Sequence, residues 1–133
     1  MDWYLKVLKQ YTRFHGRARR KEFWYFNLIN FLILLLWTIL TIALFSLQSN
    51  GISDGIRLLV AIMGLLRTIY VLGTFLPSLA VSVRRLHDIG KSGWWYLINL
   101  IPLVGSLIFL YFMVLDSEPS SNRFGRNPKE SID

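Results

Sequence analysis

The chain has 133 residues, 53% of them hydrophobic and 15% aromatic, and fifteen Lys and Arg against eight Asp and Glu give a net charge of +7. That length is one domain's worth, and the absence of cysteine removes disulfides, thiolate metal sites and cysteine nucleophiles together. Two separated histidines, His15 and His87, build no metal cluster by themselves, so no cofactor or metal is expected.

Residues 1–22 hold seven of the fifteen basic residues: Lys6, Lys9, Arg13, Arg17, Arg19, Arg20 and Lys21. Within them Trp3, Tyr4, Val7, Leu8, Tyr11 and Phe14 follow the i, i+3, i+4 spacing of one helical face, with Lys6, Lys9, Gln10 and Arg13 mostly on the other. Such a helix suits the headgroup plane of an anionic membrane, and it equally suits packing on the protein's own spans. Gly16 breaks the pattern before the Arg17 to Lys21 cluster.

From Phe23 to Ser53 no residue is charged, whereas a hydrocarbon core of roughly 30 Å needs only about 20 helical residues. The apolar part of a cleaved signal peptide is only about 7 to 15 residues, so the N-terminus is expected to stay in the mature protein. A first span is placed at Phe23 to Leu47, entered through Trp24 and Tyr25, whose rings favour the interface. Ser49 to Gly55 has a turn composition.

The second apolar stretch, Leu58 to Val83, contains Arg67, and a charge within a span is a functional-site hypothesis. Sixteen residues lie between Arg67 and Arg84. They make about 24 Å of helix, leaving Arg67 only roughly 6 Å inside the far boundary. Snorkelling, or pairing with Asp54, therefore competes with a role in a transport path. Pro77 is expected to kink this helix. The third stretch, Trp94 to Leu115, is long enough for one span, but Pro102 and Gly105 interrupt it, so a kinked span and a re-entrant hairpin both fit. The tail, Asp116 to Asp133, reads as extended or turn-rich.

Together these segments predict an all-α integral membrane protein with about three transmembrane helices and a short N-terminal amphipathic interfacial helix. It would comprise a basic cytosolic segment 1–22, a transmembrane domain 23–115 with spans at about 23–47, 60–83 and 94–115, and a polar tail 116–133. Loop 49–57 carries only Arg57, whereas the hinge 84–93 carries Arg84, Arg85 and Lys91, so the positive-inside rule makes the N-terminus and hinge cytoplasmic. Three spans place the tail outside; a re-entrant 94–115 places it inside.

The hinge Arg84 to Trp95, RRLHDIGKSGWW, invites sharper readings. Gly90, Lys91 and Ser92 spell the end of a phosphate-binding P-loop, but that motif needs a glycine where Arg85 stands. His87 and Asp88 are neighbours, which do not face each other on a helix, and no nucleophile or metal cluster completes a catalytic site. Nucleic acid is not expected as a partner either, because the cations flank spans and no recognition fold has room. The structural reading is that Arg84 and Arg85 end a span, Asp88 caps or pairs with an arginine, Gly90 and Gly93 turn the chain, and Trp94 and Trp95 anchor the next helix.

FHGRARRKEFW at 14–24, the proline at 77, RRLHDIGKSGWW at 84–95, the IP and G at 101, 102 and 105, and NRFGRNP at 122–128 carry a resemblance over nearly the whole chain. In combination the chain resembles the domain of unknown function 805 family of small bacterial inner-membrane proteins. The resemblance implies a multi-span protein of the bacterial plasma membrane and no established activity. DSEPSS at 116–121 departs from the glycine-rich segment of related sequences.

The resulting expectation is a small non-enzymatic structural or interaction protein. In it Glu22 and Asp88 pair with Arg17, Arg20, Arg84 or Arg85 to fix the cytosolic ends of the helices, and these groups, with His87 and Lys91, form a structural or lipid-contact motif whose net positive charge is left for anionic headgroups or a partner. The alternative is a homo-oligomeric transporter or channel using Arg67; a homo-oligomer or a membrane-protein partner is compatible with either.

Overall fold

The computed structural model describes residues 2–48 and 54–130. Its elements are α1 (Asp2–Lys9), α2 (Arg20–Gln48), α3 (Asp54–Asp88), a 3-10 helix (Gly93–Leu100) and α4 (Val104–Val114). Among the described residues the β-structure is an isolated bridge between Asn122 and Gly125. Most of the turn expected at 49–55 lies outside the described residues.

At 1.5 Å per residue, the 29 residues of α2 and the 35 of α3 extend about 43 and 52 Å, beyond a hydrocarbon core of about 30 Å. Their surfaces rule out the alternative of core helices in a water-soluble domain. Leu36 is 69% and Leu72 67% exposed, and Leu28, Phe31, Ile39, Ile62, Leu65 and Phe75 are likewise outward-facing. A continuous apolar surface of this extent has lipid as its solvent. The helix passes through Pro77 without a break, and Pro77 itself is buried.

The chain forms two compact units, one from Leu28 to Phe75 and the other from the residues up to Asn27 together with those from Leu76 onward. Inside the first unit, Tyr70 donates its hydroxyl to Asn30 Oδ1 at 2.6 Å, and its ring lies 6.4 Å from that of Trp37. Thr38, Thr41, Thr68 and Thr74 return their hydroxyls to the carbonyls of Leu34, Trp37, Gly64 and Tyr70, so these groups are satisfied within their own helix.

The second unit has a true core: Val7, Ala18, Phe23, Phe26, Val81, Leu86, Phe112 and Met113. The inner face of α1 packs there, with Val7 fully buried and Tyr4 stacked on Phe26 at 5.1 Å. The helix ends at Lys9, earlier than the apolar spacing suggested, and leaves Tyr11 exposed. The carboxyl end of α3 closes in a Schellman turn: Gly90, at φ +72°, donates to His87 O while Lys91 donates to Leu86 O.

Residues 94–115 fold as two short pieces back to back. The eight-residue 3-10 helix and eleven-residue α4 each extend only about 16 Å, too little for either to cross a bilayer. Between them Val104 N donates to Pro102 O at 2.7 Å across Leu103, which sits at φ 61° and ψ −68°. That is a γ-turn, a tight and strained reversal. The pieces then close on Gly105, Tyr96 meeting Phe109 and Trp95 meeting Phe112 edge to face at 5.5 and 5.6 Å. The reversal that Pro102 and Gly105 allowed is thus made in full.

A Cβ on Gly105 would lie 1.8 Å from the Ile98 carbonyl oxygen, a backbone atom that cannot step aside alone. Gly105→Ala should therefore destabilise the protein by roughly 1–3 kcal/mol, read as a lower thermal midpoint in detergent. Gly64→Ala, whose added methyl meets nothing within 4 Å, should leave the midpoint unchanged or raise it.

Candidate functional site

Burial within α3 begins at Pro77 and ends at Asp88, a stretch that holds the charged residues Arg84, Arg85 and Asp88. Arg85 and Asp88 are three residues apart and share a helical face, so Arg85 Nη1 meets Asp88 Oδ2 at 2.6 Å, both side chains fully buried. Arg17 brings Nε to Asp88 Oδ1 at 2.9 Å, and Ser117 donates its hydroxyl to Oδ2 at 2.5 Å. An anion at the carboxyl end of a helix opposes the helix dipole, and these three donors offset that as well as the loss of water.

Arg17 does more than neutralise Asp88. Its Nη2 donates to the carbonyls of Asp88 at 3.2 Å and Glu118 at 2.7 Å, and its Nη1 to Ser120 O at 2.8 Å. One guanidinium thereby joins the amino-terminal segment, the end of α3 and the tail. Arg85 Nη2 donates to Leu115 O, and Arg19 to Pro128 O. Asn122 gives Nδ2 to His87 O at 2.9 Å and to Glu118 Oε2 at 2.6 Å. Turn-rich as expected, the tail is nevertheless pinned, with Ser117 and Asn127 buried.

A second centre forms around Glu22, in the first turn of α2 and 1% exposed. Lys6 Nζ binds its Oε1 at 2.7 Å, and Arg84 Nη1 stands 3.9 Å from its Oε2. Arg84 also donates to Gln10 Oε1 and, through Nε, to Ala80 O at 3.4 Å. Ala18 N donates to Arg84 O at 3.1 Å, a backbone tie between the two centres.

The remaining sequence-derived residues take other roles. His87 Nδ1 is 3.2 Å from Gly16 O, which can only accept, so that nitrogen carries the proton. Its ring stacks on Phe124 with centroids 3.8 Å apart. Arg20 lies outside the buried network, paired with exposed Asp116 at 3.2 Å, and Asp116 is held below the usual carboxylate range first by the Lys129 hydrogen bond. Lys91 lies over the rings of Trp95 and Phe112, 4.7 Å from each centroid. Arg67 is half-buried in the other unit and does not pair with Asp54, which instead meets its helical neighbour Arg57 at 3.3 Å. No group of three or more His, Cys, Asp or Glu that would hold a metal occurs among the described residues.

Sequence reasoning missed Lys6, Gln10, Arg19 and Ser117. Lys6 and Gln10 read as the polar face of an amphipathic helix, and Ser117 as part of an extended or turn-rich tail. The family-like NRFGRNP segment at 122–128 was the available signal that the tail has fixed partners.

Two lipid-exposed helices of spanning length, joined to an end stitched together by buried ion pairs, define an all-α integral membrane protein. The chain belongs to the family described as protein of unknown function DUF805, which matches residues 11–126. It is 45% identical over 129 residues to the inner membrane protein YhaH of Escherichia coli strain K12, covering 97% of this chain and 98% of that one. It is 41% identical over 130 residues to inner membrane protein YhaI of the same strain, covering 97% of each. No solved structure matches the chain.

Because Arg17 reaches the tail through a planar fork, lysine should keep the charge and lose the connection. Arg17→Lys is expected to raise the rate of limited proteolysis within residues 117–128 about tenfold, while α2 and α3 stay resistant. Unchanged cleavage would show that the tail is held by other contacts.

Proposed function

We propose that the protein is a non-enzymatic, multi-pass protein of the bacterial inner membrane. Its buried ion network clamps the amino-terminal segment, the end of α3 and the tail together on the cytoplasmic side, and its remaining positive charge meets anionic headgroups or a partner. The observation that carries this reading is the double use of Asp88 by Arg17 and Arg85, both buried, from segments 71 and three residues away.

Orientation follows from charge. With the tail bonded to the hinge and to Arg17, residues 1–22, 84–93 and 116–133 face one side and together hold thirteen of the fifteen Lys and Arg; the loop 49–57 holds only Arg57. The positive-inside rule then makes the populated side cytoplasmic, and an even number of crossings brings the tail back to it. Each cation near anionic lipid contributes about 1 kcal/mol of attraction. Support for a non-enzymatic role comes from the carboxylates being engaged by cations and from His87 being held between Gly16 O and the Phe124 ring. A transport path through Arg67 has no comparable observation behind it.

Removing one partner of a buried ion pair leaves the other uncompensated, at a cost of about 3–5 kcal/mol. Asp88→Asn and Glu22→Gln should both lower the amount of folded protein in membranes and its thermal midpoint in detergent. Normal abundance and stability for the two variants would sink the clamp. A reporter fused after Asp133 should be active in the cytoplasm, and one inserted at residues 50–53 on the opposite side; the reverse pattern would overturn the orientation.

A further inference from the structure

Beside the Glu22 centre lies a cavity of about 120 Å³ walled by Lys6, Arg13, His15, Arg17, Glu22 and Arg84. At roughly 30 Å³ per water it has room for about four waters, or for one tetrahedral oxyanion. Two of its wall residues have unmet hydrogen-bonding groups of opposite kind. The Arg84 side chain is 3% exposed, and its Nη2 has no hydrogen-bond partner among the described residues. The Glu22 side chain is 1% exposed, and its Oε2 is equally unpartnered, since 3.9 Å to Arg84 Nη1 is an ion-pair distance and too long for a hydrogen bond.

The charge balance around the cavity is also unfilled. Lys6, Arg13, Arg17 and Arg84 line it, and Arg85 sits on Asp88; three of these cations, Arg17, Arg84 and Arg85, are buried against two buried carboxylates, Glu22 and Asp88, while Lys6 and Arg13 are more exposed. Buried cations without matching anions are costly, which favours an anionic ligand. The unpaired Oε2 adds a condition, because it faces any incoming anion with an acceptor. Sulfate, a carboxylate or a phosphodiester brings acceptors alone and would be repelled there. A phosphate that keeps one proton brings acceptor oxygens for Arg84 Nη2 and the neighbouring cations, and a P–O–H donor for Glu22 Oε2.

We propose that this cavity is a binding site for a protonated phosphate group, either hydrogen phosphate or a phosphate monoester. Its lipid form, a monoester headgroup, rests on the proposed placement of this end of the protein at a headgroup layer; its free-ion form does not. Arg13 is the residue to vary first, because its side chain is exposed and takes no part in the buried ion pairs.

The test uses the full chain in non-ionic detergent, titrated calorimetrically with inorganic phosphate and with sulfate at matched ionic strength. A second measurement uses nanodiscs of phosphatidylcholine doped with phosphatidic acid or with phosphatidylglycerol, with retained lipid counted by native mass spectrometry. An unmet buried acceptor makes the expected preference for phosphate over sulfate about tenfold or more. Arg13→Gln should weaken phosphate about tenfold with an unchanged melting temperature, and the folded fraction of the less stable Glu22→Gln, whose amide supplies a donor, should bind sulfate as well as phosphate. Phosphate selectivity with equal retention of the two lipids assigns the free ion. Preferential retention of phosphatidic acid, abolished by Arg13→Gln, assigns the lipid headgroup. Equal binding of phosphate and sulfate together with equal lipid retention, an adventitious anion only, overturns the proposal, and so does a cavity that binds none of them and holds water. Neither result touches the clamp, whose failure would appear as normal stability of Asp88→Asn.

Discussion

A carboxylate withdrawn from water at the carboxyl end of a helix has both burial and the helix dipole against it, and Asp88 meets both conditions. It is tolerated because Arg85 reaches it from the previous turn and Arg17 from the amino-terminal segment, while Ser117 of the tail completes its hydrogen bonds. Each contributor is thereby tied to the others. Arg17 needs Asp88 to be buried at all, the tail carbonyls of Glu118 and Ser120 need Arg17, and the core residues Val7, Ala18 and Leu86 lie where these segments are drawn together. Such a network is weak evidence for high stability and better evidence for a unique arrangement, since loss of Asp88 leaves two buried arginines uncompensated.

The two units solve different solvation problems. Among the described residues between Leu28 and Phe75 most large apolar side chains face outward to hydrocarbon, so little is gained by burying apolar area there, and the polar groups are met locally: threonine hydroxyls return to their own helix and Asn30 pairs with Tyr70. In the other unit the chain has a close-packed apolar core of its own, and its polar chemistry is carried by charges. The division explains why Arg67 and the basic residues of the hinge behave differently. Arg84 and Arg85 have carboxylates at hand, whereas Asp54, the acidic residue of Arg67's own unit, is taken by Arg57.

Legibility varied with the kind of signal. The long helices were readable because an uncharged run has few alternatives at that length, and Arg20–Gln48 and Asp54–Asp88 contain the expected 23–47 and 60–83. Residues 94–115 were ambiguous because composition alone does not distinguish a kinked span from a reversal. The γ-turn at Leu103 and the approach of Gly105 to Ile98 are set by packing. At the candidate site, Glu22, Arg84, Arg85 and Asp88 stood out as charges beside apolar runs, but the tail did not, because backbone carbonyls such as those of Glu118, Ser120 and Pro128 carry no sequence signature.

By itself the sequence determined the solvent of this protein, the helices that match it and the charge asymmetry between its flanks, because these depend on composition over stretches of some twenty residues. Only the tertiary structure decided which cations are consumed and which remain. Lys6 is drawn to Glu22 and Arg17 to Asp88 across 16 and 71 residues of chain, and Arg20 is left at the surface with Asp116. The physical reason is that a buried ion pair depends on position to within an ångström or so, and such positions are fixed by the packing of segments distant in sequence.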